Sequence, residues 1–122
     1  APITVYGTGE QSRCFCHVRD VVASIEALME APETAGKVFN IGSDREVTIN
    51  ALAEMVREAA GSDSEIVHVP YEEAYAEGFE DMLRRVPDVS KLERAIGFKP
   101  STPLDRIVAD VVAEQRARLA AT

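Results

Sequence analysis

Hydrophobic and polar positions along this chain switch repeatedly between a period of two and a period near 3.6, the marks of strands and helices in turn. Pro2–Tyr6 is short and rich in β-formers, and Gly7-Thr8-Gly9-Glu10 reads as a turn. Arg13–Val18 alternates around Phe15 and Val18 and predicts a second strand. These two strands form a hairpin, or the first runs alone along a cleft. Asp20 predicts the cap of a helix that reaches Ala31, with Val21, Val22, Ile25, Leu28 and Met29 on its buried face. Pro32 ends it. Lys37–Ile41 predicts a short apolar strand, and Gly42-Ser43-Asp44 a turn. Thr48 caps a second helix whose stripe is Ile49, Leu52, Ala53 and Val56, with Gly61 past its end. Ile66–Val69 is a further strand, closed by Pro70. Tyr71–Val86 is less regular and reads as loop with one helical turn. Asp88 or Ser90 starts a short helix through Ile96, stopped by Gly97. Thr102-Pro103-Leu104-Asp105 opens the last helix, with Thr as cap and Pro at the first helical position. Its inner face is Leu104, Ile107, Val108, Val111 and Val112.

The fold class is therefore α/β, a small sheet of three or four short strands with about four helices. So few strands cannot cover four helices on both faces. Either the helices lie on one side, or the fold is incomplete and association relieves it. At 122 residues the chain has the length of one domain, residues 1–122.

Charge and composition narrow the functional classes. Thirteen Lys and Arg against 21 Asp and Glu give a net charge of −8, which argues against nucleic acid as a general partner. No apolar run is long enough to span a bilayer, and no signal peptide is visible, so no membrane partner is expected. The sequence starts at Ala1 without an initiator Met, so it was processed or is a piece of something longer. Cys14 and Cys16 stand at i, i+2, poor geometry for a mutual disulfide. A zinc site would need two more ligands beside these thiols, and His17 and His68 are the only histidines, so geometry and ligand count argue against one. The expectation is two small buried thiols in a cytoplasmic protein and no metal.

Catalytic motifs are missing. There is no Gly-x-Gly-x-x-Gly, P-loop, Gly-x-Ser-x-Gly or His-Glu-x-x-His. Glu72-Glu73 and Glu80-Asp81 read as a solvated acidic loop, and His68 as a solvent-edge residue opposite Val67 and Val69. What stands out is arginine beside turns: Arg13 after the Gly-rich turn, and Arg84 and Arg85 before Pro87-Asp88. A guanidinium fork suits phosphate oxygens, so arginines on two loops can clamp a diphosphate. The competing reading is that they pair with some of the many acids.

The order of motifs favours the first reading. Pro2-Ile3-Thr4-Val5-Tyr6-Gly7-Thr8-Gly9-Glu10, continuing through Arg13 to Asp20-Val21, resembles the start of the C-terminal part of extended short-chain dehydrogenase/reductases. These are NAD-dependent nucleotide-sugar epimerases and dehydratases, including the UDP-glucose 4-epimerase type. Val38-Phe39-Asn40-Ile41-Gly42, the stretch from Gly78 through Arg84-Arg85-Val86-Pro87-Asp88 to Lys91, and Ile96-Gly97-Phe98-Lys99-Pro100 are similar to later family blocks, in family order.

The resemblance implies a single C-terminal nucleotide-sugar binding domain that lacks its Rossmann half. It implies that Arg13 and Arg85, with Arg84 beside it, bind the substrate diphosphate. Thr4, Val5 and Tyr6 would lie along the uridine or thymidine base, partly through backbone groups, and Asn40 would be structural. The expected ligand is a UDP-sugar. NAD belongs to the parent enzyme, with no cofactor-binding residue in this chain. The family's Tyr-x-x-x-Lys pair is absent, since positions 75 and 79 are Tyr and Phe. No catalytic residue is assigned, and the chain alone is expected to be inactive. The parent is read as a UDP-sugar 4-epimerase, with a nucleotide-sugar dehydratase or UDP-glucuronate decarboxylase as the alternative. A non-catalytic stand-alone assembly module is the other alternative. Exposed apolar faces and strand edges further imply a homodimer or domain-swapped oligomer.

Overall fold

The computed structural model describes residues 1–70 and 83–121. Among them run β1 (Ile3–Tyr6), β2 (Ser12–Cys14), α1 (Val18–Glu30), a single 3₁₀ turn (Pro32–Thr34), β3 (Glu46–Thr48), α2 (Ile49–Ala59), β4 (Ile66–Val69), α3 (Ser90–Ile96) and α4 (Leu104–Ala121). The α/β class with four helices and four short strands matches the sequence. The strands form two two-stranded sheets, β1 with β4 and β2 with β3. The chain divides into two compact units: Ala1–Arg13, Val47–Arg85 and Val108–Thr122 form the first, and Cys14–Glu46 with Val86–Ile107 the second.

In the first unit β1 is not the arm of a hairpin. It runs parallel to β4, with Ile3 opposite Ile66 and Tyr6 opposite Val69. Hydrogen bonds from Ile3 N–H to Glu65 O (2.8 Å) and from Gly7 N–H to Val69 O (2.7 Å) extend the ladder at both ends. Alternation along β1 turns Val5 inward and leaves Thr4 and Tyr6 exposed. Among the described residues, Val5 joins Ala53 of α2 and Val108 of α4 as the buried hydrophobic residues of this unit. Thr48 caps α2 as expected, its Oγ1 accepting from Ala51 N–H at 3.1 Å. The Arg116 guanidinium donates to Ala60 O at 2.6 Å and ties α4 to the end of α2. Val111 of α4, expected on the inner face, is 54% exposed.

In the second unit α1 contacts α3, and Leu92 and Val89 are buried. The face that α1 buries differs from the one expected. Ser24 is fully buried, with Val21 and Leu28 half-buried beside it in the helical repeat, while Val22, Ile25 and Met29 lie exposed. A serine can occupy the buried face because its hydroxyl donates to Asp20 O one turn back, at 2.8 Å. The helix cap is His17, whose Nδ1 accepts from Arg19 N–H at 3.1 Å, rather than Asp20. Asp20 Oδ2 instead accepts Thr102 N–H at 3.0 Å. The Thr102 hydroxyl foremost, then the Thr102 and Ser101 backbone groups and the nearby His17, hold this carboxyl below the usual carboxylate range. With Thr102 so engaged, Pro103 supplies the carbonyl that accepts Arg106 and Ile107 N–H, and α4 starts at Leu104.

The expected strand at 37–41 has no ladder among the described residues. Its groups are taken by the segment around α3 instead. Val38 O accepts Lys91 Nζ at 2.7 Å, the same ammonium lies 4.8 Å from the Phe39 ring centroid, and Asn40 Nδ2 donates to Asp88 O at 3.3 Å. Asn40 thus has the structural role anticipated for it. The strand β3, not foreseen, is only three residues long. Gly97 ends α3 at φ +83°, where a residue without Cβ is unstrained.

Candidate functional site

All six sequence-predicted binding residues lie in the first unit. The loop from β1 to β2 decides how they meet. Gly7 and Gly9 both take positive φ, 73° and 76°, so the chain folds back within a few residues. Two backbone N–H groups at the start of α2 then hold the loop, Asn50 to Gly9 O and Ile49 to Gln11 O, each at 3.0 Å. These are donors that a helix N-terminus leaves without internal partners. Gln11 is buried, and its Nε2 donates to Tyr6 O at 3.0 Å, joining the end of β1 to the loop exit.

Beyond the loop, Ser12 N–H donates to Leu83 O at 2.8 Å, and Ser12 forms a parallel bridge with Arg84. Arg13 and Arg85 are the next residues on each segment, so this register sets those two arginines beside one another. In extended backbone, alternate side chains leave on opposite faces. Arg13 is therefore matched with Arg85, and Arg84 with Ser12. Arg84 and Arg85 are exposed and Arg13 is half-buried, its guanidinium donating to Ser12 O at 2.6 Å. On β1, Thr4 and Tyr6 face outward, Tyr6 being 43% exposed. Val5 is 2% exposed, and the register turns its backbone groups, like those of Ile3 and Gly7, toward β4. The segment 71–82, which holds Glu72-Glu73, Tyr75 and Glu80-Asp81, lies outside the described residues.

One residue that the sequence reading passed over organises the loop. Asn50 Nδ2 donates to Thr8 O (3.1 Å) and Glu10 Oε1 (3.0 Å), and its Oδ1 faces His68 Nε2 at 2.8 Å. Because both amide protons point at acceptors, Oδ1 is the accepting atom and His68 Nε2 carries a proton. A signal was present: asparagine is a poor helix former, and in a first turn its side chain serves flanking backbone groups. His68 is exposed, as expected, but engaged by Asn50.

An open cleft of about 470 Å³ lies along α2 and β4, lined by Asn50, Glu54, Arg57, Glu65 and His68 among others. None of the six candidate residues lines it, and Arg57 is paired with Glu54. No group of three His, Cys, Asp or Glu able to hold a metal occurs among the described residues. No described helix is long and apolar enough to cross a membrane. In the second unit, burial and then the Asp20 charge push the Cys16 thiol up, which disfavours the reactive thiolate.

The model of the family described as GDP-mannose 4,6 dehydratase matches residues 1–111. The chain belongs to this family. Among curated relatives, the GDP-mannose 4,6 dehydratase family member here is 41% identical over 99 residues to UDP-N-acetyl-alpha-D-glucosaminuronate decarboxylase of Bacillus cytotoxicus, covering 81% of this chain and 30% of that one. It is 30% identical over 112 residues to UDP-D-apiose/UDP-D-xylose synthase of Oryza sativa, covering 84% and 28%. Among solved structures it is similar to the Thermotoga maritima UDP-glucose 4-epimerase with UDP-glucose, at a TM-score of 0.83 and 30% identity, over 97% of this chain and 36% of that one. The chain thus spans about a third of the length of these relatives. The likeness to NAD-dependent nucleotide-sugar epimerases and dehydratases of the extended short-chain dehydrogenase/reductase class is borne out.

The family implies NAD, which raises the question of the Gly7-Thr8-Gly9 turn. It does not fit a dinucleotide cradle. A Cβ on Gly9 would stand 1.9 Å from Asn50 Oδ1, so the space that glycine leaves is filled by protein and not open to a phosphate.

Proposed function

We propose that this chain holds the nucleoside diphosphate of a UDP-sugar for an NAD-dependent enzyme and performs no chemistry by itself. The bridge that sets Ser12 beside Arg84, and so Arg13 beside Arg85, carries the reading. Two guanidinium forks at adjacent register positions on two segments suit the two phosphates of a diphosphate, each fork bidentate. Thr4 and Tyr6, exposed on β1, offer side chains to the base. The three relatives perform different reactions, and their names share the UDP moiety. A chain that binds the common part rather than the reacting sugar fits that pattern.

For the longer enzyme, a UDP-sugar 4-epimerase is supported by the Thermotoga maritima likeness, and a UDP-sugar decarboxylase by the 41% identical relative. Inactivity of the chain alone rests on the absent Tyr-x-x-x-Lys pair and cofactor turn. As partner we add a second copy of the chain. Val18, Val22, Ile25 and Met29 of α1 are 68, 49, 44 and 80% exposed. Their 4-3-4 spacing is a coiled-coil seam, which an identical helix matches.

Calorimetric titration of UDP and UDP-glucose tests the site. Saturable binding is expected, weakened about 100-fold or more in an Arg13→Ala, Arg85→Ala double variant, since hydrogen bonds to charged groups contribute about 1.5–3 kcal/mol each. Equal binding by both proteins would refute the proposal.

A further inference from the structure

We propose that Asn50 is a positioning residue for the diphosphate site, fixing the span between the base-contacting strand β1 and Arg13. The proposal rests on the reading of Arg13 as a diphosphate contact. Tyr6 ends β1 and Arg13 lies in β2, which begins at Ser12, so the loop 7–11 carries the chain from one to the other. Asn50 holds that loop at three consecutive residues: its amide group bonds Thr8 O and Glu10 Oε1, and its backbone N–H bonds Gly9 O. The Asn50 side chain is anchored in turn by His68 of β4, the strand paired with β1. Gly9 is buried, and its missing Cβ leaves the place that the Asn50 carboxamide fills.

A ligand that contacts β1 at one end and Arg13 at the other gains from both only if their spacing is preset. A ligand that contacts β1 alone is indifferent to it. UDP and uridine separate these cases, and a double-mutant cycle with Arg13 shows whether Asn50 acts through it.

The experiment measures dissociation constants of UDP and uridine for the wild-type chain, Asn50→Ser, Arg13→Ala and the double variant, with circular dichroism confirming the fold. Asn50→Ser is expected to weaken UDP about tenfold and leave uridine within about twofold. In the Arg13→Ala background it should change UDP binding by less than about twofold. Should Asn50→Ser fail to fold, Asn50→Asp keeps the shape and the His68 acceptor while removing both donors to the loop. Equal weakening of UDP and uridine would overturn the proposal, as would a full additional loss on top of Arg13→Ala. If Arg13→Ala weakens UDP and Asn50→Ser does not, positioning fails and the diphosphate site stands. If Arg13→Ala binds UDP like wild type, both fail.

Discussion

Gly9→Ala is the single substitution whose cost the structure specifies most fully. Gly9 sits at φ +76°, where an L side chain is strained by roughly 1–2 kcal/mol. The new Cβ would also lie 1.9 Å from Asn50 Oδ1 and 2.4 Å from its Cγ, so the carboxamide must swing away. That breaks its bonds to Thr8, Glu10 and His68, all at exposed positions, at roughly 0.5–1 kcal/mol each. The sum is a loss of about 2.5–5 kcal/mol, measurable by urea unfolding followed by circular dichroism. The same substitution in an Asn50→Ala background meets no carboxamide and should cost only the backbone strain, roughly 1–2 kcal/mol. A loss below about 0.5 kcal/mol in the wild-type background, or equal losses in both backgrounds, would refute the reasoning.

Arg85→Ala should weaken UDP about tenfold and Arg84→Ala less than about threefold, because the bridge at Ser12 matches Arg13 with Arg85; calorimetry of the two single variants decides. Asp20 titrates lower when folded than when unfolded, so its stabilisation is full above the unfolded value and is lost as pH falls through the folded one. Asp20→Asn should therefore lower Tm by about 3 °C at neutral pH, its partial solvent exposure keeping the effect to about 1 kcal/mol or less, and the gap should close as pH falls through the folded titration of Asp20. Light scattering coupled to size exclusion should give the mass of a dimer for the wild-type chain and of a monomer for Val22→Asp, Ile25→Asp; a wild-type monomer at every concentration would contradict the α1 seam.

Local rules were legible where the signal is local. Thr48 as a cap and Gly97 as a left-handed stop were readable, because capping chemistry depends on neighbours along the chain. The arginines were legible as a set, since a fork suited to phosphate is a property of the side chain. Pairing was not legible. β1 finds its partner some sixty residues away in β4, and nothing in Ile3–Tyr6 distinguishes that from a hairpin. The stripe on α1 misled because Ser24 satisfies its own hydroxyl and so occupies the face that hydrophobicity assigns to Val22 and Ile25. Lys37–Ile41 carries strand-like residues, yet Lys91 and Asp88 take its polar groups without a ladder. Asn50 was missed for the same reason: its three partners come from a distant turn and a distant strand.

The most direct test of the central claim is chemical-shift mapping of the ¹⁵N-labelled chain on addition of UDP. Shifts are expected to cluster at the Arg13 and Arg85 Nε–H signals and the backbone amides of Thr4–Tyr6. Shifts confined instead to the cleft of Glu54, Arg57 and Glu65, or no shifts at millimolar ligand, would contradict that claim.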